Sequence, residues 1–147
     1  MFPVQIESSS PEETIEAGKK AAAFLEKGSV VAFMGTLGAG KTCMIKGIGV
    51  GLEVDEEITS PSYTIVSEYA AKLRSETIPL YHIDAYRLNG NDDFIAMGGE
   101  EYIYGNGITL IEWSERIAEV LPEETIFIEI KVIGADKRII NISKGKK

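Results

Sequence analysis

Apolar and polar residues change their rhythm along this chain in a way that alternates short strands with helices. "PVQIE" (3–7) alternates and predicts a short edge strand. "SSSPEETIEAGKKAAAFLEKG" predicts a helix with punctuation at both ends: Ser10 as N-cap, Pro11 in the first helical position, Glu13 as the capping acid and Gly28 as the stop. Ile15, Gly18, Ala22 and Leu25 recur there at helical spacing. "SVVAFM" (29–34) is apolar almost throughout, too short for a helix and rich in β-branched residues, which predicts a central buried strand.

"KTCMIKGIGVGL" (41–52) then places Met44, Ile45, Ile48 and Leu52 on one side of a helix. Gly47, Gly49 and Gly51 each weaken that helix by about 1 kcal/mol relative to alanine, so it is expected to end near Gly51 or earlier. "EVDEEITSPS" is an acidic loop, and "YTIVSEYAA", "TIPLYHID" and "GITLIEW" are further strands. "NDDFIAMGGEEYIYG" predicts two short helical turns around Gly98 and Gly99, and "SERIAEVL" a helix ended by Pro122. "TIFIEIKVI" and "RIINIS" flank "GADK" as a terminal antiparallel hairpin. Together these predict an α/β fold: a three-layer sandwich around a mixed, mostly parallel central sheet with a C-terminal antiparallel hairpin.

Composition narrows the setting. The 147 residues suit a single domain, 1–147, with "KGKK" (144–147) as a frayed, solvated basic tail. Hydrophobic residues at 44% and charged residues at 26% are ordinary for a globular chain, and no run approaches the ~20 apolar residues of a membrane span. The N-terminus lacks the basic-then-apolar start of a signal peptide, and the one cysteine, Cys43, cannot form an internal disulfide, which favours a reducing cytoplasmic setting. A net charge of −8 argues against a chain that grips nucleic acid by itself.

The densest chemistry lies in "MGTLGAGKT" (34–42). Gly35, Gly40, Lys41 and Thr42 fit Gly-x-x-x-x-Gly-Lys-Ser/Thr, between a predicted buried strand and a predicted helix, the context that gives this motif its meaning. Backbone N–H groups along Gly35, Thr36, Leu37, Gly38, Ala39, Gly40 and Cys43 can wrap phosphates, with glycine where a Cβ would intrude, and the helix N-terminus adds unpaired donors. Lys41 brings a point charge to the β- and γ-phosphates, and Thr42 a hydroxyl to Mg²⁺. This makes a P-loop NTPase-like fold the expected architecture.

A second, acidic anchor for Mg²⁺ is expected at a strand end. Glu112 closes "ITLIE" and Asp84 closes "PLYHID". A carboxylate at the tip of a buried strand is costly unless it meets a cation or donors. No asparagine is followed by lysine, so the guanine-reading Asn-Lys-x-Asp is absent and ATP is the expected nucleotide. The four arginines, Arg74, Arg87, Arg116 and Arg138, are scattered, which weakens a small-molecule kinase reading and leaves it as the alternative. His82, the sole histidine, is open to two readings, a base or a structural hydrogen bond at the strand end. Trp113 is equally open to stacking near the nucleotide or to packing.

"ITSPSYTIVSEY" (58–69), "HIDAYRL" (82–88) and "LIEW" (110–113) follow the phosphate loop in that order, and with them the chain resembles the TsaE (YjeE) family of P-loop ATPases. That resemblance implies a weak cytoplasmic ATPase, stimulated by partners, required for threonylcarbamoylation of the adenosine beside the anticodon in tRNAs reading codons that begin with A. It implies a TsaB–TsaD-type heterodimer as partner, tRNA reached indirectly through that complex, and ATP and Mg²⁺ as cofactors. Carried over by position, Thr42 and Glu112 would bind Mg²⁺, and Asp84 would lie by the γ-phosphate as a metal or water-positioning acid. Lys41, Asp84 and Glu112 would form the catalytic set. "ITSPSY" would be a nucleotide-responsive loop, and Thr14 and Arg138 would contact nucleotide. The chain departs from the family at Thr36, where most members have aspartate, and at Cys43 and Ser62, where most have threonine.

Overall fold

The computed structural model describes residues 3–35, 40–58 and 65–145. Seven strands form one sheet: β1 (Val4–Ser8), β2 (Val30–Met34), β3 (Val66–Leu73), β4 (Glu76–Asp84), β5 (Ile108–Glu112), β6 (Ile126–Val132) and β7 (Arg138–Lys144), in the order β1-β7-β6-β2-β5-β4-β3. The central run β6-β2-β5-β4 is parallel, and the antiparallel pairings β1/β7, β7/β6 and β3/β4 lie outside it. The expected mixed sheet with a parallel centre and a terminal hairpin is the one found.

Helices cover both faces. On one, α1 (Pro11–Ala22) and α2 (Lys41–Gly51) pack over Val31 and Phe33 of β2, Leu80 of β4 and Ile108 and Leu110 of β5. On the other, α3 (Asn91–Ala96), α4 (Gly99–Ile103) and the 3₁₀ segments Ala85–Arg87 and Ser114–Val120 pack over Val30, Ala32, Ile83 and Ile111. Adjacent residues of one strand thus enter different cores, as the period of two demands. A six-residue helix such as α3 has little stability of its own. It is held by Phe94, whose ring is fully buried and contributes about 2–3 kcal/mol.

The α1 N-terminus follows its sequence signature. The Ser10 side chain accepts from Glu13 N at 3.1 Å, and Glu13 reaches back to accept from Ser9 N at 2.9 Å. The buried stripe of α1 is Thr14, Ala17, Gly18, Ala21 and Ala22, with Ile15 only half-buried. The reason is the crossing with α2. Gly18 and Gly47 lie against each other, so that a methyl on either would sit 2.9 Å from the Cα of the other, and a methyl on Gly51 would sit 2.6 Å from Ala22 Cβ. Gly47 and Gly51, two of the glycines that depress α2's intrinsic propensity, therefore form the surface on which the two helices meet, while Gly49 packs against the Ile58 side chain.

Three expectations need correction or refinement. The basic tail does not fray from Lys144: that residue, the last of β7, pairs with Ile126 of β6 and with Glu124 at 3.5 Å, and Gly145 N donates to Thr125 O at 2.8 Å. Backbone ladder bonds hold it, and only 146–147 lie outside the described residues. The segment "SERIAEVL" is 3₁₀ rather than α, broken by non-helical angles at Ile117 (φ −130°, ψ 31°), whose side chain is fully buried. The third strand starts at Val66, later than "YTIVSEYAA" suggested, and 63–64 lie outside the described residues. Among the described residues no helix is long and apolar enough to cross a membrane.

Propensity and packing make opposite predictions for Gly47→Ala. Propensity favours alanine by about 1 kcal/mol, whereas the new methyl would run into the Ile15 carbonyl and the Gly18 backbone, which cannot yield without moving a helix. Net destabilisation of about 2 kcal/mol or more is expected in urea unfolding. A neutral or stabilised variant would show that the helices do not meet backbone to backbone.

Candidate nucleotide site

Strands β2, β5 and β4 run parallel and finish at the same edge of the sheet. β2 ends at Met34 and leads through Gly35 to α2, which begins at Lys41. In the β4–β5 register Asp84 stands directly opposite Glu112. Alternation puts both on the face that α2 covers, since Leu80 and Leu110, four and two residues back along their strands, belong to that core. The two strand-end acids picked out from separate sequence segments are thus neighbours, on the side where the helix begins.

The start of α2 is open to an anion. Gly40 takes the N-cap position at φ 110°, a left-handed conformation that favours glycine, and among the described residues no side chain caps the helix. No acid occupies its first turn. A helix start of this kind, with its orphan N–H groups and positive dipole end, suits an anion. Thr42 is exposed in that first turn, whereas Lys41 is buried at 6% exposure. The Lys41 ammonium turns back toward the loop, donating to Gly35 O at 3.1 Å and lying 4.3 Å from the Trp113 ring centroid. An ammonium held by one carbonyl and a ring face keeps donors for phosphate oxygens.

Glu112 is equally buried, at 6% exposure, and its Oε2 lies 2.7 Å from His82 Nε2. A carboxylate can only accept, so with Glu112 ionised the imidazole N–H is the donor. This bears out the structural hydrogen bond at the strand end for His82. Asp84 Oδ1 accepts from Tyr86 N at 3.0 Å and so caps the 3₁₀ turn Ala85–Arg87. Trp113 has a left-handed backbone (φ 57°), and its ring packs against Tyr86 with centroids 5.0 Å apart. Arg116 stacks over Tyr86 at 5.1 Å.

Ser114 was not singled out from sequence. It is 1% exposed, and its Oγ donates to Phe33 O at 3.1 Å, tying the end of β5 to the end of β2 just before the phosphate loop. Nothing in the sequence distinguishes this serine from an ordinary helix-capping one.

Thr14 and Arg138, 124 positions apart in the chain, line one cleft with Ser10, Pro11, Gly40, Cys43 and Asp136. The cleft adjoins the first turn of α2. The Thr14 hydroxyl is already engaged, 2.7 Å from Ser8 Oγ and 3.3 Å from Ser10 O, while its methyl lies toward Gly40. Arg138 Nη1 donates to Lys137 O at 3.0 Å in the β6–β7 turn. Lys46 on α2 meets Glu57 at 2.6 Å; the hydrogen bond, then the charge, raises the ammonium pKa and lowers that of the carboxyl. This exposed pair holds the acidic loop onto α2 just before the segment expected to respond to nucleotide.

Thr36, Leu37, Gly38 and Ala39, and residues 59–63 of the stretch expected to respond to nucleotide, lie outside the described residues. Among the described residues no three His, Cys, Asp or Glu side chains gather to hold a metal by themselves. One helix-start hydroxyl and two adjacent carboxylates fit Mg²⁺ that arrives with phosphate and water oxygens, rather than a cation caged by protein alone.

Known proteins resemble this chain over nearly its whole length. The family model described as threonylcarbamoyl adenosine biosynthesis protein TsaE matches residues 8–140. The tRNA threonylcarbamoyladenosine biosynthesis protein TsaE of Treponema pallidum (strain Nichols) is 43% identical over 136 residues, covering 92% of this chain and 97% of that protein. The protein of the same name from Bacillus subtilis (strain 168) is 41% identical over 134 residues, covering 91% and 81%. The crystal structure of Bacillus subtilis YdiB superposes with a TM-score of 0.75 at 38% identity, covering 99% of this chain and 89% of that one. With strand order, open helix start and paired acids in place, the match shows that this chain belongs to the TsaE family.

Proposed function

We propose that this protein binds ATP with Mg²⁺ at the edge where β2, β5 and β4 end, hydrolyses it slowly alone and faster with partners, and serves threonylcarbamoylation of the adenosine beside the anticodon in tRNAs reading codons that begin with A. The observation that carries the nucleotide reading is the pairing of Asp84 with Glu112 beside an uncapped helix start. The names borne by its relatives carry the pathway.

Each residue has a role that follows from its position. The α2 N-terminus and Lys41 hold the phosphates, and Lys41 exchanges Gly35 O and the Trp113 face for phosphate oxygens. Thr42 and Glu112 would hold Mg²⁺, which would supply positive charge against the nucleotide phosphates. Asp84, exposed enough to meet solvent and fixed through one oxygen by Tyr86 N, orients the attacking water or contributes to the metal shell. Thr14, Arg138 and Cys43 border the nucleotide from the adjoining cleft, with Gly35, Thr36, Leu37, Gly38, Ala39 and Gly40 supplying the phosphate loop.

A chain of net charge −8 is poorly suited to hold tRNA alone. A TsaB–TsaD-type heterodimer is the proposed carrier of the RNA, and this chain joins it as a cytoplasmic component.

Asp84→Asn tests site and pathway together. The purified variant is expected to bind ATP within about twofold of wild type and to lose roughly 100-fold or more in turnover. Cells depleted of the native protein and supplied with wild type are expected to keep threonylcarbamoyladenosine in bulk tRNA, and cells supplied with the variant to lose it. An unchanged nucleoside level after depletion alone would overturn the pathway. Full turnover by the variant would remove Asp84 from the chemistry.

A further inference from the structure

His82 is buried at 1% exposure among the apolar side chains under α2, a costly place for an imidazole unless its polar atoms are engaged. Its Nε2 lies 2.7 Å from Glu112 Oε2. The strand register explains how. His82 is opposite Leu110, one same-face step back from the Asp84–Glu112 rung, so its ring reaches diagonally toward the sheet edge and meets the glutamate from the core side. A glutamate side chain has three rotatable bonds, and its carboxylate is useful to a metal only in one orientation. A rigid imidazole anchored in the sheet fixes one oxygen and hence the plane of the group. The same arrangement orients carboxylate and imidazole ligands at metal sites generally, and removing such a partner typically weakens metal binding about 10- to 100-fold.

We propose that His82 is a positioning residue: its Nε2–H sets the Glu112 carboxylate to receive the Mg²⁺ that accompanies nucleotide. This rests on the reading of Glu112 as the Mg²⁺ ligand. His82 touches neither phosphate nor metal and acts only through Glu112. It also accounts for a buried histidine at a strand position flanked on the same face by Leu80 and Leu110, with Ser67 opposite it on β3.

The test is a Mg²⁺ titration of the binding of a fluorescent, non-hydrolysable ATP analogue to the full chain. His82→Met fills the space without a donor, and His82→Gln places an amide N–H near the position of Nε2. His82→Met is expected to raise the Mg²⁺ concentration for half-saturation about tenfold, with metal-free analogue affinity within about twofold of wild type. His82→Gln is expected to recover most of that shift. In a Glu112→Gln background, His82→Met is expected to add nothing, because both changes act on one carboxylate.

If His82→Met lowers the melting temperature but leaves the Mg²⁺ midpoint unchanged while Glu112→Gln moves it, the histidine is structural and the proposal fails alone. If the two shifts add in the double variant, His82 does not act through Glu112 and the proposal fails. If Glu112→Gln leaves the midpoint in place, the metal assignment fails and takes the proposal with it. Should His82→Met not fold, His82→Asn, whose amide is too short to reach Glu112, replaces it with the same expected shift.

Discussion

Parallel pairing of β2, β5 and β4 is the constraint on which the site depends. Parallel strands finish at one edge, so whatever the sequence writes at their C-terminal ends is brought together in space. Gly35 follows β2, Glu112 closes β5 and Asp84 closes β4. Antiparallel pairing of β4 with β5 would leave the two acids at opposite edges. The one-to-one register between Asp84 and Glu112 matters equally, because a slip of one residue would send one carboxylate to the other face of the sheet. The apolar alternation of the strands fixes that register. Leu80 and Ile108 are partners that enter one core, and Ile83 and Ile111 are partners that enter the other.

The helix that presents the phosphate loop is anchored differently. α2 has poor intrinsic propensity, and its start has no side-chain cap. Its stability comes from Met44, Ile45 and Ile48, all buried, and from the close approach to α1 through Gly18 and Gly47. Among the described residues this division leaves the N-terminal turn without a side-chain cap or an acid, as suits an anion site. Ser114 on Phe33 O and the Trp113 ring beside the Lys41 ammonium tie the same corner to β5.

Most of the fold was legible because burial writes plain patterns. The almost wholly apolar 29–34, the turn between β6 and β7 and the capping residues Ser10 and Glu13 all announced their elements. The β3–β4 turn was less plain, since Arg74 and Ser75 take left-handed angles (φ 49° and 74°) where asparagine and glycine usually stand. The glycines of α2 counted as weakness in sequence because their partner, Gly18, lies almost thirty positions away. For the site, the motif and both strand-end acids were visible, since each sits where an apolar run stops. That His82 and Glu112 meet was not visible, because a diagonal contact depends on which strands are neighbours and in what register. Lys144 illustrates the opposite error: charge suggested a frayed tail, whereas ladder bonds to β6 hold it.

The central claim is that this sheet edge binds ATP through Lys41 and the open start of α2. Calorimetric titration of Mg²⁺ and ATP into the intact protein and into Lys41→Ala tests it most directly. Wild type is expected to bind at one site, and the variant, folded to the same melting behaviour, to bind about 10- to 100-fold more weakly through loss of charge-assisted contacts to phosphate. Equal affinity in the two folded proteins would contradict the account.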